Sequence, residues 1–208
     1  MDQARRIYLI RHGETTHNSD RNRFSGITDV QLTATGIRQC KALRSLPLLQ
    51  EVEVVYSSPL QRSVDSARLV FPDREPVIFP PLIEFDYGIY EGAAVELTPA
   101  GDPIIQQWQT HPGDLTFPGG GNIREHASLA FAGLQELAAG SDATVIACVS
   151  HKTTIRLLAA LVLKLGLDHF RRIPCANCSV TELHLTPEGG FLLAALNVTA
   201  QYFHHPNG

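Results

Sequence analysis

The chain has 208 residues, 44% of them hydrophobic, and a formal net charge of −4. This length suits one domain with a full core, and the acidic balance argues against nucleic acid or an anionic membrane as a partner. No apolar stretch approaches the roughly 18 residues that span a bilayer, and the first apolar run is shorter than a signal-peptide core of about 7 to 15 residues. We therefore predict a single cytoplasmic domain over 1–208 whose ligand is a small molecule.

The predicted elements alternate between strand and helix along most of the chain. Continuous apolar runs predict strands that are buried on both faces, and apolar residues at helical spacing predict the helices between them. In chain order we predict a strand at 6–11, a helix at 34–46, a strand at 52–57, a helix at 59–71, a short strand at 76–80, a helix at 123–139, a strand at 143–150, a helix from 151 to a stop at Gly166, and a closing hairpin of strands at 178–185 and 191–198.

Residues with strong end preferences set the limits of these helices. Thr33 and Asn122 are predicted N-caps, because their side chains accept hydrogen bonds from the first free amides of a helix. Pro47 is predicted to stop the first helix. Pro59 is placed at the first helical position of the next one, where its missing N–H is harmless.

The segment from 82 to 121 is irregular and rich in Pro, Gly and acidic residues. We predict that it consists of loops and a cap, inserted at about 85–121. Alternating strands and helices elsewhere predict an α/β fold. We expect a three-layer α/β/α sandwich with a mostly parallel central sheet, a C-terminal hairpin and a small irregular or helical cap.

Chemically distinctive residues follow the predicted parallel strands. Arg11 and His12 end the first strand, and Arg62 lies one turn into the helix after the second. Glu84 stands just after the short third strand, and His151 follows the most apolar one. Ligands bind at the carboxyl ends of the strands in open sheets of this kind. We therefore expect two histidines, two arginines and one carboxylate to converge there.

These residues lie in four motifs, RHGE, SSPLQRS, EFDYGIYEG and VSH. Their order and approximate spacing resemble those of the histidine phosphatase superfamily, also called the phosphoglycerate-mutase-like fold, over about 7–200. Within it, the chain looks most similar to the broad-specificity and α-ribazole-type phosphatases. The resemblance implies metal-independent hydrolysis of a small phosphate monoester through a phosphohistidine intermediate, with no cofactor. It implies these roles: His12 as nucleophile, Glu84 as proton donor, Arg11, Arg62 and the catalytic His151 as phosphoryl ligands, and Asn18 and Ser25 as further residues of the phosphate pocket.

The same residue types suit phosphoryl transfer on chemical grounds. A neutral imidazole is a good nucleophile near pH 7, and a backbone carbonyl in the turn after the first strand would fix its tautomer. Gly13 gives that turn room. Guanidinium groups bind the equatorial phosphoryl oxygens, and the first amides of the helix after His151 would add to them, so no metal is required.

One carboxyl group can protonate the leaving oxygen and later accept a proton from water. Glu84 fits this task if Phe85 and Tyr90 exclude water from it. Asp86 and Glu91 are neighbouring carboxylates that could take the role instead.

Two other functions stay open. A mutase or bisphosphatase needs cations for a second anionic group, yet no Lys or Arg occurs between Arg74 and Arg124, which disfavours this alternative. A catalytically silent phosphate-binding module has no need of a complete set of nucleophile, arginines and proton donor. Lys152, where many relatives have Gly, either adds a cation to the phosphate pocket or points to solvent.

The cap contains aromatic and acidic residues whose roles the sequence leaves open. The aromatic ones either contact the leaving group or form the core of the cap: Tyr87, Tyr90, Trp108 and Phe117. The acidic ones leave an amine-bearing substrate such as phosphoserine as a minor option: Glu96, Asp102 and Asp114.

The four cysteines of a cytoplasmic chain are predicted to be free thiols. Cys175 and Cys178 form a C-x-x-C pair, but no second Cys or His pair stands at zinc spacing, which favours a coincidence at a strand entry. The remaining histidines, including His204 and His205 at the end of the chain, are predicted to be structural or at the surface. The exposed edge of the closing hairpin could pair two chains into a homodimer.

Overall fold

The computed structural model describes residues 5–20, 23–99 and 101–203. The domain predicted over 1–208 therefore reaches beyond the described residues at both ends, and His204 and His205 lie outside them. Within the described ranges, no helix combines the length and apolar character needed to cross a bilayer.

Strands and helices alternate along the described chain. The strands are β1 (Arg6–Arg11), β2 (Val54–Ser57), β3 (Val77–Ile78), β4 (Val145–Ser150), β5 (Val180–Leu185) and β6 (Phe191–Val198). The helices are α1 (Thr16–Ser19), α2 (Ala34–Leu43), α3 (Gln61–Val70), α4 (Pro103–Thr110), α5 (Ile123–Gly140) and α6 (Lys152–Val162).

The strands form one sheet in the order β3-β2-β4-β1-β5-β6. The strands from β3 to β1 run parallel, whereas β5 is antiparallel to both β1 and β6. This arrangement confirms the predicted α/β fold, with a mostly parallel sheet and a C-terminal hairpin. β6 forms one edge of the sheet, and a homodimer through this edge stays a prediction.

Successive side chains of β1 are buried on opposite faces of the sheet, which gives the fold its three layers. Tyr8 and Ile10 belong to one hydrophobic core, with residues of α2 and α3. Ile7 and Leu9 belong to another, with residues of α5 and α6. A strand points alternate side chains to opposite faces, so an uninterrupted apolar run requires helices on both sides.

Two predicted helix ends need correction. α2 ends at Leu43 instead of 46, and Pro47 opens a short 3₁₀ segment. Pro59 is not the first helical residue, because α3 begins at Gln61. The Gln61 amide donates to the Asp29 carboxylate at 3.0 Å, so a residue from a distant loop caps this helix.

The end of α6 also differs from the prediction. The helix ends at Val162, four residues before Gly166. Lys164 takes the left-handed conformation that glycine usually provides at a helix end, with φ 54°. The next amide, that of Leu165, donates to the Ala160 carbonyl at 2.9 Å, which closes the helix.

The cap contains a helix that the sequence analysis does not place. Asp102 caps α4 by accepting from the amides of Ile104 and Ile105, and Pro103 occupies its first position. Both are ordinary signals for a helix start. The predicted irregular or helical cap thus contains one short α-helix, α4, whose position was not predicted. By contrast, Asn122 caps α5 as predicted, accepting from the Glu125 amide at 3.1 Å.

Candidate functional site

The carboxyl edge of the parallel strands brings the predicted residues together. Arg11 and His12 come at the end of β1, Arg62 lies in the first turn of α3, and His151 is the residue before α6. All four side chains are buried. The ring centroids of His12 and His151 are 5.2 Å apart.

His12 is held in one tautomer. Its Nδ1 lies 2.7 Å from the Gly13 carbonyl oxygen, and since a carbonyl only accepts, Nδ1 carries the proton. Burial and the charges of Arg62 and Arg11 lower the pKa of His12 well below 6.5. The ring is therefore neutral near pH 7, and its Nε2 keeps the lone pair that a nucleophile needs.

The turn after His12 packs against α2 without space for a side chain. A Cβ on Gly13 would lie 2.7 Å from the Gly36 carbonyl oxygen, and a Cβ on Gly36 would lie 2.1 Å from that of Glu14. The Gly13 amide donates to Ser66 Oγ at 3.0 Å. Close approach of two backbones explains both glycines, and it fixes the carbonyl that orients His12.

Arg62 and His151 form a buried pair. Arg62 Nε donates to His151 Nδ1 at 3.2 Å, while Nη1 and Nη2 donate to the carbonyls of Thr28 and Gly26 at 2.7 and 2.6 Å. Because arginine only donates, the proton of His151 lies on Nε2, 2.7 Å from Ser58 Oγ. Burial and the Arg62 charge lower the pKa of His151 well below 6.5. The neutral ring has protein partners at both nitrogens and orients Arg62.

Arg11 is buried but incompletely hydrogen-bonded. One Nη donates to the Cys175 carbonyl at 2.8 Å, whereas Nε is shielded from solvent and has no partner in the described part of the chain. Burial lowers the pKa of Arg11 from its usual value, yet a guanidinium stays protonated in proteins. An anion would supply the missing acceptor.

Glu84 is the carboxylate of this site, and it is 4% exposed. Its oxygens accept from the amides of Phe85, Thr153 and Thr154 at 2.9, 3.0 and 3.2 Å. The last two belong to the first turn of α6, whose amides the sequence analysis assigns to the phosphoryl group. In the structure these two amides fix the direction of the Glu84 carboxylate instead.

The two alternative carboxylates have structural roles. Glu91 accepts from the amides of Gly26 and Thr28 at 3.1 and 3.2 Å and so braces the loop that holds Arg62. Asp86 accepts from the Gly88 amide at 2.8 Å within its own turn. Glu84 lines the cavity beside His12, whereas these two residues do not.

Asn18 and Ser25 also line this cavity. Asn18 Oδ1 accepts from the Thr15 amide at 3.3 Å and from Asn177 Nδ2 at 3.1 Å, which leaves its NH₂ group as the available donor. Ser25 Oγ is buried and has no hydrogen-bond partner among the described residues. Both side chains can therefore donate to a bound anion.

The cavity has a volume of about 100 Å³ and is rich in positive charge. Its cationic lining residues come from outside the cap: Arg11, Arg23, Lys152, Arg156 and Arg171. The cap adds no cation to this lining, but α6 and the segment after it do, so the absence of Lys and Arg from the cap does not by itself exclude a second anionic group. Lys152 and Arg156 are four residues apart on α6, a spacing that puts both on one face of the helix. The pair could therefore have been predicted from the sequence.

The cap aromatic residues divide between the two predicted roles. Tyr87 and Trp108 line the cavity together with Phe24. Phe117 is fully buried behind them, with its ring centroid 5.5 Å from that of Trp108. Tyr90 donates its hydroxyl hydrogen to Asp102 at 2.7 Å. The cavity wall and the core of the cap are thus one aromatic cluster.

The acidic cap residues do not line the cavity. Asp102 binds Tyr90 and caps α4, and Asp114 pairs with Arg124. The structure therefore gives no support to an amine site built from Glu96, Asp102 and Asp114.

The C-x-x-C segment supports the backbone at Arg11. The Cys178 amide donates to the Arg11 carbonyl at 3.1 Å, and its Sγ lies 3.4 Å from Cys40 Sγ. In the described ranges, no three His, Cys, Asp or Glu side chains are grouped as a metal site would require.

Comparison with known proteins places the whole described core in one family. A family model described as histidine phosphatase superfamily (branch 1) matches residues 7–199. The wheat (Triticum aestivum) protein 2-carboxy-D-arabinitol-1-phosphatase is 30% identical over 192 residues, which cover 90% of this chain and 38% of that protein. The chain covers 42% of a second plant relative, so it spans about two fifths of the plant proteins that it matches.

Two bacterial proteins match along nearly their full length. Phosphoserine phosphatase 1 of Hydrogenobacter thermophilus is 26% identical over 197 residues, covering 93% of this chain and 92% of that protein. A solved structure from Escherichia coli, provisionally identified as an alpha-ribazole-5'-P phosphatase, has a TM-score of 0.82 at 26% identity. It covers 94% of this chain and 97% of its own.

Proposed function

The chain belongs to the histidine phosphatase superfamily, as its four motifs indicate, and from that premise we propose that it hydrolyses small soluble phosphate monoesters through a metal-independent phosphohistidine mechanism. The observation that carries this proposal is the buried, neutral His12 ring, whose Nδ1–H is bonded to Gly13. The phosphatase activities named for the relatives, towards 2-carboxy-D-arabinitol 1-phosphate and phosphoserine, support a small phosphate monoester as the substrate.

In the first half-reaction, His12 Nε2 attacks phosphorus and the bond from phosphorus to the leaving oxygen breaks. Arg11 and Arg62 bind the equatorial oxygens, where negative charge is spread in the transition state. Asn18 and Ser25 add neutral donors to the same group. Glu84 gives a proton to the leaving oxygen, and its fixed direction towards the cavity suits this task.

In the second half-reaction, water attacks the phosphohistidine. Glu84 accepts the proton of that water, the bond from phosphorus to Nε2 breaks, and phosphate leaves. His12 returns to the tautomer that its bond to the Gly13 carbonyl defines. His151 keeps the Arg62 guanidinium in place through both steps.

The test measures phosphate release from a panel of monoesters in excess chelator. We expect turnover to persist with chelator and to fall by at least about four orders of magnitude in His12→Ala. Rapid quench into base, where a phosphohistidine survives, should trap phosphate on the wild-type protein and not on the variant. His184→Asn, which alters a histidine on β5 that does not line the cavity, is the matched control.

Four outcomes would contradict the proposal. Turnover abolished by chelator would exclude the metal-independent mechanism, and undiminished turnover by His12→Ala would exclude the nucleophile. Phosphate binding without turnover of any monoester would favour the silent module. Transfer of the phosphoryl group to an added alcohol faster than to water would favour a mutase.

A further inference from the structure

Two cations on α6 have no partner among the described residues. Lys152 and Arg156 both line the cavity, and in the described ranges neither forms a hydrogen bond or an ion pair. The Nε atom of Arg156 is also shielded from solvent. The remaining cations beyond the phosphoryl pocket are already engaged, because Arg23 pairs with Asp20 at 2.7 Å and Arg171 donates to the Trp108 carbonyl at 2.5 Å.

These two cations exceed what a single phosphoryl group requires. A phosphate monoester carries about two negative charges near pH 7, which Arg11 and Arg62 can balance. Glu84 is the acidic residue of the cavity lining, and the amides of α6 already bind its carboxylate. Partly buried donors and charges without partners are costly, and they are usually satisfied by a ligand when the protein does not satisfy them.

The position of the pair on α6 shows which part of a substrate it would meet. Thr153 and Thr154, whose amides hold Glu84, lie between Lys152 and Arg156 in the sequence. Arg156 is one helical turn, or about 6 Å, further along the axis than Lys152. A leaving group whose ester oxygen lies at Glu84 would therefore extend along α6 towards Arg156. The aromatic wall closes the cavity on its cap side.

We propose that Arg156, assisted by Lys152, forms a second anion subsite that binds a carboxylate on the leaving group. Preferred substrates are then phosphate monoesters of short hydroxy acids. A guanidinium can bind a carboxylate through two parallel hydrogen bonds, and that of Arg156 has no acceptor in the described part of the chain. One helical turn, about 6 Å, separates Lys152 from Arg156 along the axis, a span that suits a short acid. This inference rests on the proposed phosphatase activity and extends it to the substrate class.

A matched pair of substrates tests the subsite. Phosphoglycolate and 2-hydroxyethyl phosphate differ in one group, a carboxylate in place of a hydroxymethyl group. We expect wild-type kcat/KM to favour phosphoglycolate by at least about tenfold. Arg156→Gln should reduce this preference by about tenfold, mainly through KM, and Arg156→Lys should restore part of it because the charge returns without the fork.

Arg172→Gln is the matched control, because Arg172 is exposed, lies outside the cavity lining and carries the same charge. It should leave the preference for phosphoglycolate unchanged. An equal loss of preference in Arg172→Gln would show a long-range charge effect and overturn the subsite. Circular dichroism and thermal melting establish that each variant is folded.

The remaining outcomes separate the subsite from the phosphatase activity itself. Equal losses on both substrates in Arg156→Gln would assign Arg156 to the phosphoryl group and overturn the proposal, as would a wild-type enzyme without preference. Faster hydrolysis of ethylene glycol bisphosphate than of phosphoglycolate would overturn the carboxylate assignment. If neither substrate turns over, the phosphatase proposal fails, and calorimetric binding of phosphoglycolate to wild type and Arg156→Gln decides the subsite separately.

Discussion

The sheet side of the site, where Arg62 and His151 lie just outside the cavity lining, and the α6 side, where Lys152 and Arg156 line the cavity, differ in how their polar groups are satisfied. On the side of the sheet, Arg62 donates hydrogen bonds to His151 and to two backbone carbonyls. His151 also bonds to a serine hydroxyl. On the side of α6, Lys152 and Arg156 have no hydrogen-bond partner within the described chain. The nitrogens of Arg62 and His151 have protein partners without any ligand. A ligand would have to supply the partners of Lys152 and Arg156.

This difference follows from what each side has to do. Groups that act on every phosphate ester gain from being fixed in advance, since they then cost no reorganisation during the reaction. Side chains that contact the leaving group can favour one substrate over another only if that substrate supplies the hydrogen-bond acceptor or opposite charge that the protein does not provide. Arg62 therefore acts on the phosphoryl group that all substrates share, whereas Arg156 distinguishes substrates by their leaving group.

The largest expected effect comes from replacing Arg62 with methionine, and Arg156→Met is its matched comparison. Arg62→Met should lower kcat/KM for p-nitrophenyl phosphate by about a thousandfold or more, because it removes a preorganised cation. It should also lower the free energy of unfolding by about 1–3 kcal/mol, because the carbonyls of Thr28 and Gly26 lose buried donors. Urea denaturation and steady-state kinetics measure the two quantities.

Arg156→Met should leave the free energy of unfolding equal to that of the wild type or above it, because it removes a partly buried charge that has no partner within 5–20, 23–99 or 101–203. The two variants differ from wild type by the same change of residue, so each is a control for the other. Equal losses of stability in both would contradict the distinction between the two sides of the site.

The next effect concerns Glu84, which lines the cavity and accepts from the first amides of α6. Glu84→Gln should lower kcat for an alkyl phosphate by about 10²- to 10⁴-fold, because an alkoxide needs a proton to leave. The loss should be much smaller for p-nitrophenyl phosphate, whose leaving group is stable as an anion. The ratio of the two rates is the measurement, since a general disturbance of the site would lower both equally.

Asp86→Asn provides the control for Glu84→Gln, because Asp86 lies outside the cavity lining and binds the Gly88 amide. We expect this variant to keep the ratio of the two rates. A change of that ratio in Asp86→Asn, or an unchanged ratio in Glu84→Gln, would remove Glu84 from the role of proton donor.

The sequence predicts the side of the sheet well and the side of α6 poorly. His12 and His151 follow apolar strands, and the carboxyl ends of parallel strands meet at one edge, so their convergence follows from the pattern. Arg171 reaches the cavity through the packing of a 3₁₀ segment beside the cap, which no local pattern encodes. The start of α3 also could not be predicted from local sequence, because the residue that caps it, Asp29, comes from a distant loop.

Two features could have been read from the sequence and were missed. Asp102 followed by Pro103 is a regular helix start, and the spacing of Lys152 and Arg156 places two cations on one face of α6. For a second anionic group, the sequence prediction considered cations only in the cap. In the structure the cap supplies the aromatic wall, and the helix after His151 supplies the charge.

The smallest effect is a dependence of substrate preference on pH. Burial, with the charges of Arg11 and Arg156, lowers the pKa of Lys152 to about 8, although Cys175 and Glu84 act in the opposite direction. Lys152 is therefore charged below pH 8 and loses its charge as the pH rises further. Because kcat/KM reports the free enzyme, the preference for phosphoglycolate over 2-hydroxyethyl phosphate should fall about two- to fivefold between pH 7 and 9.

In Lys152→Arg the charge persists over this range, so the preference should stay constant. A fall that persists in this variant would assign the titration to another group and remove Lys152 from the carboxylate subsite.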